Sequence, residues 1–196
     1  MLPKIDPIIP VLSRTVPVGR EWLYEAKLDG FRGVLSIENG RGSFLSKSKR
    51  PMPRFKELAD LLARSMRLDD AIFDGEIVVM TDTGPDFNAL FAARGQPAYA
   101  AFDLLWLNGT DLRPLPFHKR KTMLRKVTRK GPIAYVEALR DPTLFDSAVR
   151  LDIEGIVAKR RGDPYGEETQ WLKVKHGTYT QSVGRAELFR WMRRRY

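Results

Sequence analysis

The stretch Glu25-Ala26-Lys27-Leu28-Asp29-Gly30-Phe31-Arg32 lies between two apolar runs that are typical of β-strands. Residues 22–24 come before it, and residues 34–37 come after it. This order predicts a lysine at the end of a strand, then a tight Asp-Gly turn, and an arginine at the start of the next strand. An amine in that position can act as a nucleophile if its surroundings keep it uncharged. A surface lysine beside a hairpin turn is the alternative interpretation.

The composition bounds the class of protein. A chain of 196 residues has the length of one domain, or of one domain with a short appendage. Its formal net charge of +10 favours a polyanionic partner, nucleic acid first, although high charge can also serve solubility alone. The chain has no cysteine, which excludes disulfides, thiolate metal sites and a cysteine nucleophile.

No targeting or membrane segment is predicted. The first residues contain charges and prolines in place of the apolar core of a signal peptide. The most apolar run, residues 98–107, is too short to span a bilayer and contains Asp103. The sequence therefore predicts a cytoplasmic protein with no membrane partner.

Local patterns divide the chain into a proline-rich, extended lead-in at 1–20, one domain at 21–178, and a basic arm or helix at 179–196. Asp29-Gly30 and Asn39-Gly40 are predicted to join successive strands, and Asp86 and Asp141 to cap helices. Strands in hairpin-like runs with helices between them indicate an α+β fold with antiparallel sheets. The predicted strands are 21–26, 31–38, 43–47, 71–80, 99–107, 133–137, 155–159 and 171–175, and the predicted helices are 54–64, 86–93, 116–127, 141–150 and 185–195.

Five stretches, taken in order, resemble the motifs of the nucleotidyltransferase (adenylation) domain of ATP-dependent DNA ligases. The first is the K-x-D-G-x-R pattern that begins at Lys27. The others are Phe73-Asp74-Gly75-Glu76, Ala101-Phe102-Asp103-Leu104-Leu105, Glu154-Gly155-Ile156-Val157-Ala158-Lys159 and Trp171-Leu172-Lys173-Val174-Lys175. The resemblance implies the DNA ligase/ATP-grasp-like nucleotidyltransferase fold, with two mainly antiparallel β-sheets flanked by helices.

The resemblance also implies a reaction. Lys27 would attack the α-phosphorus of ATP, form a lysine–AMP intermediate and release pyrophosphate, and the AMP would pass to a DNA 5′-phosphate to promote nick sealing. Nearby cations, among them Lys159 and a bound metal, would favour the uncharged amine. Lys173 and Lys175 alternate along a strand, so both can face the α-phosphate, unless they only form a solvated strand edge.

The remaining site residues follow from the same resemblance. Glu76 and Glu154 would hold Mg²⁺ or Mn²⁺, because hard cations prefer carboxylate oxygens, unless each is paired with a lysine. Glu25 would contact the adenine edge and Phe102 would stack on the base, with core packing as the alternative for the ring. Arg32 would bind the ribose or a substrate phosphate, with a surface ion pair as the alternative.

Two departures from the ligase pattern stand out. In the stretch Leu45-Ser46-Lys47-Ser48-Lys49-Arg50, Lys47 takes the place of the arginine in the S-R-x-G motif of ligases. Its contact to sugar or phosphate is therefore that of a point charge, or Arg50 substitutes for it. Only 21 residues follow Lys175, fewer than the OB-fold domain and sixth motif of ligases require. The sequence therefore predicts a minimal adenylation domain without an OB-fold domain, and a separate protein that supplies the missing DNA clamp.

Basic surfaces are predicted to contact nicked or broken duplex DNA through its phosphates. A solvated helix face, for 118–130, and docking against the domain, for the tail, are the alternatives. The predicted DNA-binding residues are Arg50, Lys119, Arg120, Arg185, Arg190, Arg193, Arg194 and Arg195. Two other functions remain open at this point: an RNA ligase or capping-type nucleotidyltransferase, and a non-catalytic nucleic-acid-binding module with a ligase-like sequence.

Overall fold

The computed structural model describes residues 2–82 and 84–182, which form two β-sheets with helices against them. The first sheet has the strand order β1-β12-β11-β2-β10, with bounds Val11–Leu12, Leu172–Lys175, Gly155–Arg160, Trp22–Ala26 and Ala138–Leu139. The second sheet has the order β4-β3-β5-β7-β8, with bounds Arg41–Ser46, Phe31–Glu38, Asp70–Thr81, Pro97–Leu107 and Thr110–Asp111. Two short strands, β6 (Gly84–Pro85) and β9 (Ala134–Tyr135), pair with β5 and β7.

Four α-helices and two short 3₁₀ turns complete the described part of the chain. The helices are α1 (Lys56–Met66), α2 (Phe87–Phe91), α3 (Phe117–Thr128) and α4 (Leu144–Arg150), and the turns are Pro53–Phe55 and Thr180–Ser182. None of these helices is long and apolar enough to cross a membrane. Except for β1 on β12 and β9 on β7, the strand pairs between the described residues are antiparallel, as predicted for the α+β class.

Three apolar clusters hold the layers together. The largest lies between the second sheet and helices α1 and α3, and includes Leu35, Leu62, Phe73 and Leu124. Another joins the lead-in, through Ile5 and Ile8, to the opposite face of the second sheet and to Trp171. The third lies between the first sheet and α4. The space left between the two sheets is lined by residues from strands of both.

The stretch from Lys27 to Gly30 carries the chain from one sheet to the other. The strand before it, β2, belongs to the first sheet, and β3 belongs to the second. The predicted hairpin at Asp29-Gly30 is therefore wrong, because the two strands do not pair. Gly30 is needed for a different reason: a Cβ at this position would lie 2.1 Å from the carbonyl oxygen of Ile77.

The chain crosses between the sheets again after α3. One continuous strand was predicted at 133–137, but β9 pairs with β7 in the second sheet and β10 pairs with β2 in the first. Val136 and Glu137 lie between these two short strands. This second crossing brings the segment after α3 against β2, the same strand that ends just before Lys27.

One predicted turn and one predicted helix cap are confirmed, and a second cap is wrong. Asn39 and Gly40 have φ values of 51° and 72°, as a two-residue hairpin with both central residues left-handed requires, and they join β3 to β4. Asp86 caps α2 by accepting a hydrogen bond from the Ala89 amide at 2.8 Å. Asp141 does not cap α4, because its side chain bonds the amide and hydroxyl of Thr143 in a local turn and the helix begins after Thr143.

Candidate active site

A cleft of about 460 Å³ opens between the two sheets, within the range usual for small-molecule sites. The predicted nucleotide and metal residues all line it, although they come from strands far apart in sequence. They are Glu25, Lys27, Arg32, Lys47, Glu76, Phe102, Glu154, Lys159, Lys173 and Lys175. Lys27 enters the cleft directly after β2, where its amide donates a hydrogen bond to the Gly155 carbonyl at 2.9 Å.

The amine of Lys27 is held by Glu154, which is 6% exposed. The other oxygen of this carboxylate lies 3.0 Å from the amine of Lys175. Burial alone would raise the pKa of Glu154, but the two ammonium groups outweigh it and hold the pKa below its ordinary value. Burial, with Lys175 and Lys27 nearby, lowers the pKa of Lys173. The surroundings of the Lys27 amine therefore combine two further lysines, Lys173 and Lys175, with the single carboxylate of Glu154.

Glu76 is the carboxylate with the least compensation. Arg32 is its register partner across β3 and β5, but no lysine or arginine among residues 2–82 and 84–182 lies within ion-pair distance of its oxygens. Burial raises the pKa of Glu76 to about 7; Lys27 and Arg32 lower it in part, and Glu154 raises it further. A carboxylate in this state would gain from a cation bound beside it.

The donor set fits one hard cation bound together with phosphates. No group of three or more metal-binding side chains is present in the described part of the chain. Mg²⁺ does not need one, because it keeps several waters and takes only one or two carboxylates when phosphates supply other ligands. Glu76 and Glu154, which both line the cleft, could supply those two carboxylates.

The guanidinium of Arg32 is already engaged. Its Nε and Nη2 each donate to Asp74 at 2.6 Å, and Asp74 also accepts a hydrogen bond from the Tyr165 hydroxyl at 2.7 Å. The guanidinium carbon lies 4.6 Å from the centre of the Phe102 ring. Asp74 and Phe102 thus fix the position of the Arg32 side chain in the cleft. Of its three guanidinium nitrogens, only Nη1 has no acceptor among these contacts.

A second charged cluster surrounds Glu25, which is 2% exposed. One of its oxygens lies 2.5 Å from Lys159 and the other 2.7 Å from Lys121. Lys159 was expected beside Lys27, yet its amine lies against Glu25 and over the rings of Trp171 and Phe102, at 3.9 and 4.4 Å. Burial lowers the pKa of Lys159, and Glu25 opposes that effect.

Several residues of the cleft were missed by sequence reasoning. Trp171 and Val157 line its wall, and Ile9 and Pro10 of the lead-in reach its rim. Val157 could have been found from strand alternation, because it lies two residues before Lys159 on β11 and therefore shares its face. Ile9 and Pro10 gave no signal, because only the tertiary path of the lead-in brings them to the cleft.

The predicted DNA-binding residues divide into three groups. Arg50 and Lys119 are exposed and lie outside the cleft lining. Arg120 is fully buried and makes a two-pronged ion pair with Asp103, at 2.8 and 2.9 Å, so the prediction that it contacts DNA is wrong. The remaining five arginines, at 185, 190, 193, 194 and 195, lie outside the described residues.

The family described as ATP dependent DNA ligase domain matches residues 13–175, most of the chain. This chain belongs to that family. It is 34% identical to the multifunctional non-homologous end joining protein LigD of Pseudomonas aeruginosa, over 88% of this chain and 22% of the relative. It is 30% identical to DNA ligase C of Mycobacterium tuberculosis, over 89% of this chain and 56% of that protein.

A solved structure agrees with this assignment. A mycobacterial DNA ligase D complexed with ATP and MES superposes with a TM-score of 0.71 at 27% identity, over 88% of this chain and 62% of that one. The predicted nucleotidyltransferase fold, with two mainly antiparallel sheets flanked by helices, is confirmed. The chain covers about a fifth of the length of the Pseudomonas relative and just over half of the length of DNA ligase C.

Proposed function

We propose that this chain is an ATP-dependent DNA ligase-type adenylyltransferase whose nucleophile is the amine of Lys27. The observation that carries the proposal is the arrangement around that amine: a carboxylate bonded to it, two further lysines, and an underpaired Glu76 in one cleft. Such a site neutralises the charge of phosphates and positions a nucleophile, which are the main requirements of phosphoryl-type transfer.

In the first step a bond forms between Lys27 Nζ and the α-phosphorus of ATP. The bond from that phosphorus to the bridging oxygen breaks, pyrophosphate leaves, and the amine loses a proton. Before the attack, the ammonium group of Lys27 must transfer a proton to Glu154 or to water and separate from Glu154, since a protonated amine has no lone pair to donate. Lys173 and Lys175 lie on one side of β12 and both line the cleft, where their positive charges would neutralise the phosphates.

In the second step an oxygen of a DNA 5′-phosphate attacks the same phosphorus, and Lys27 is released as the free amine. Glu76 and Glu154 are the residues that would hold Mg²⁺ or Mn²⁺, which when bound neutralises phosphate charge. Glu25 and Phe102 contact the adenine, and Arg32 and Lys47 contact the sugar or a phosphate. These roles follow the ligase resemblance and the placement of all six side chains along the cleft.

The first step is tested by incubating the protein with ATP and Mg²⁺ and measuring its intact mass. The wild type should gain one adenylate group, and Lys27→Ala should gain none. Lys126→Ala is the matched control, because Lys126 is exposed on α3 and outside the cleft, and it should be labelled like the wild type. A wild-type protein that never labels, and carries no adenylate beforehand, would refute the proposal.

We propose nicked or broken duplex DNA as the substrate, in keeping with relatives whose names include non-homologous end joining. A gel assay on a pre-adenylated nick, run beside an unadenylated one, separates joining from nucleotide activation. Sealing of nicked RNA but not of nicked DNA, or labelling by GTP in preference to ATP, would contradict this choice. Complete sealing by the chain alone would contradict the predicted partner protein that supplies a clamp.

Contact of the basic tail with DNA phosphates remains a prediction. Deleting residues 184–196 should weaken DNA binding and make it less sensitive to salt, because each lost phosphate contact removes released counterions. Arg50→Gln and Lys119→Gln should each reduce the salt dependence in the same direction. An unchanged salt dependence in the deletion would assign the tail to packing against the domain.

A further inference from the structure

Lys121 differs from the other lysines of α3 because its side chain points into the protein. It is 4% exposed, while Lys119 and Lys126 of the same helix are exposed. Its amine donates hydrogen bonds to the carbonyl oxygens of Val136, at 2.5 Å, and Phe102, at 3.3 Å. It also lies 2.7 Å from an oxygen of Glu25. Two hydrogen bonds and one ion pair thus surround this buried ammonium group.

These contacts join three separate parts of the cleft. Glu25 is on β2 of the first sheet, Phe102 is on β7 of the second sheet, and Val136 is in the segment that crosses between the sheets. The other oxygen of Glu25 lies 2.5 Å from Lys159. The carboxylate is therefore held between two buried ammonium groups. The contact with Lys121 is ionic, since this oxygen of Glu25 completes no hydrogen bond with any described residue.

We infer that Lys121 is a positioning residue that holds Glu25 as an oriented carboxylate and thereby makes the cleft select adenine over guanine. The inference rests on the proposed function, in which Glu25 contacts the base. Adenine carries an amino donor on the ring edge where guanine carries a carbonyl acceptor. An ionised carboxylate only accepts hydrogen bonds, so it binds the amino group and repels the carbonyl.

Lys121 contributes to this selectivity in two ways. It fixes the direction of the carboxylate, because without it Glu25 would be held by Lys159 alone. Its own amine is buried behind Glu25 and is not part of the cleft lining, so it is not offered to the carbonyl of a guanine. An ammonium group with a free donor at the same place would instead favour guanine, by donating to its carbonyl. A lysine on a solvated helix face would not orient Glu25 at all.

The test measures equilibrium binding of the α,β-methylene analogues of ATP and GTP, whose bridge cannot be cleaved to release pyrophosphate. The wild type should bind the ATP analogue more tightly. Lys121→Gln should lower the preference for the ATP analogue by about tenfold, as expected when a buried polar contact is lost. Lys126→Gln, on the same helix, should leave both affinities unchanged.

A double-mutant cycle with Glu25→Gln decides whether Lys121 acts through Glu25. In the Glu25→Gln protein, a further Lys121→Gln change should no longer alter the ratio of the two affinities. Equal loss of both affinities in Lys121→Gln, an additive effect in the double variant, or a wild type without preference would each overturn the inference. The binding assay needs no covalent step. A wild type that is never labelled by ATP would therefore refute the proposed function, while the two analogue affinities would still test the role of Lys121.

Thermal melting establishes that each variant is folded. If Lys121→Gln does not fold, Lys121→Arg serves in its place. Arginine keeps the charge opposite Glu25, but its planar fork cannot meet the same three acceptors, so the preference for the ATP analogue should still fall. An unchanged preference in a folded Lys121→Arg protein would overturn the inference.

Discussion

Replacing Glu76 by glutamine should stabilise the protein near pH 8 and have little effect near pH 4. Burial raises the pKa of Glu76 from 4.5 to about 7 in the folded protein. Between these two values the folded state keeps a proton that the unfolded state has released, so the contribution of Glu76 to stability falls as the pH rises. The difference in pKa amounts to about 3 kcal/mol, at about 1.4 kcal/mol per pH unit. Glutamine cannot ionise, so it avoids this loss.

The measurement is urea denaturation of the wild type and Glu76→Gln at several pH values between about 4 and about 8. The free energies of unfolding should agree in acid and separate steadily, with the variant up to about 3 kcal/mol more stable at the alkaline end. Glu168→Gln is the control, because Glu168 is exposed, and it should give a difference close to zero throughout. A difference between Glu76→Gln and wild type that is the same at every pH would refute the reasoning.

Two further substitutions test how the cleft is built. Arg120→Met leaves Asp103 buried without its counterion and should cost about 3–5 kcal/mol of unfolding free energy in urea; a loss below about 1 kcal/mol would mean that solvent reaches the pair. Gly155→Ala places a Cβ 2.0 Å from the Val174 carbonyl oxygen at a φ of +141°, so its melting temperature should drop clearly, while Gly162→Ala, with open space around it, should melt like the wild type.

Local signals predicted the strands well but not the sheets to which they belong. The strand at 31–38 and the hairpin at Asn39-Gly40 are confirmed, because apolar runs and left-handed turn residues act within a few residues of each other. The neighbouring Asp29-Gly30 was read as a second hairpin, although it joins two different sheets. The sequence alone cannot distinguish a glycine required by the close approach of the Ile77 carbonyl from a glycine required by a turn.

The motifs brought ten residues to one cleft without any structural information, since their order along the chain matched that of a known family. Their neighbours were harder to predict. The basic helix α3 was read by its charge, so Arg120 was assigned to DNA and Lys121 was overlooked. The helical period carried the missing signal: Phe117, Lys121 and Leu124 are spaced so that they share the buried face.

The charges of the cleft predict tighter binding of ATP when a metal ion is present. In the proposed reaction Lys27 attacks the α-phosphorus and Lys175 meets phosphate oxygens, and both are bonded to Glu154 in this structure. When these two amines turn to the nucleotide, that carboxylate loses its partners and lies beside new negative charge. Glu76 is already short of compensation. Binding of the triphosphate is therefore costly unless another cation joins Glu154 and Glu76, and we expect the affinity for ATP to rise when Mg²⁺ is added.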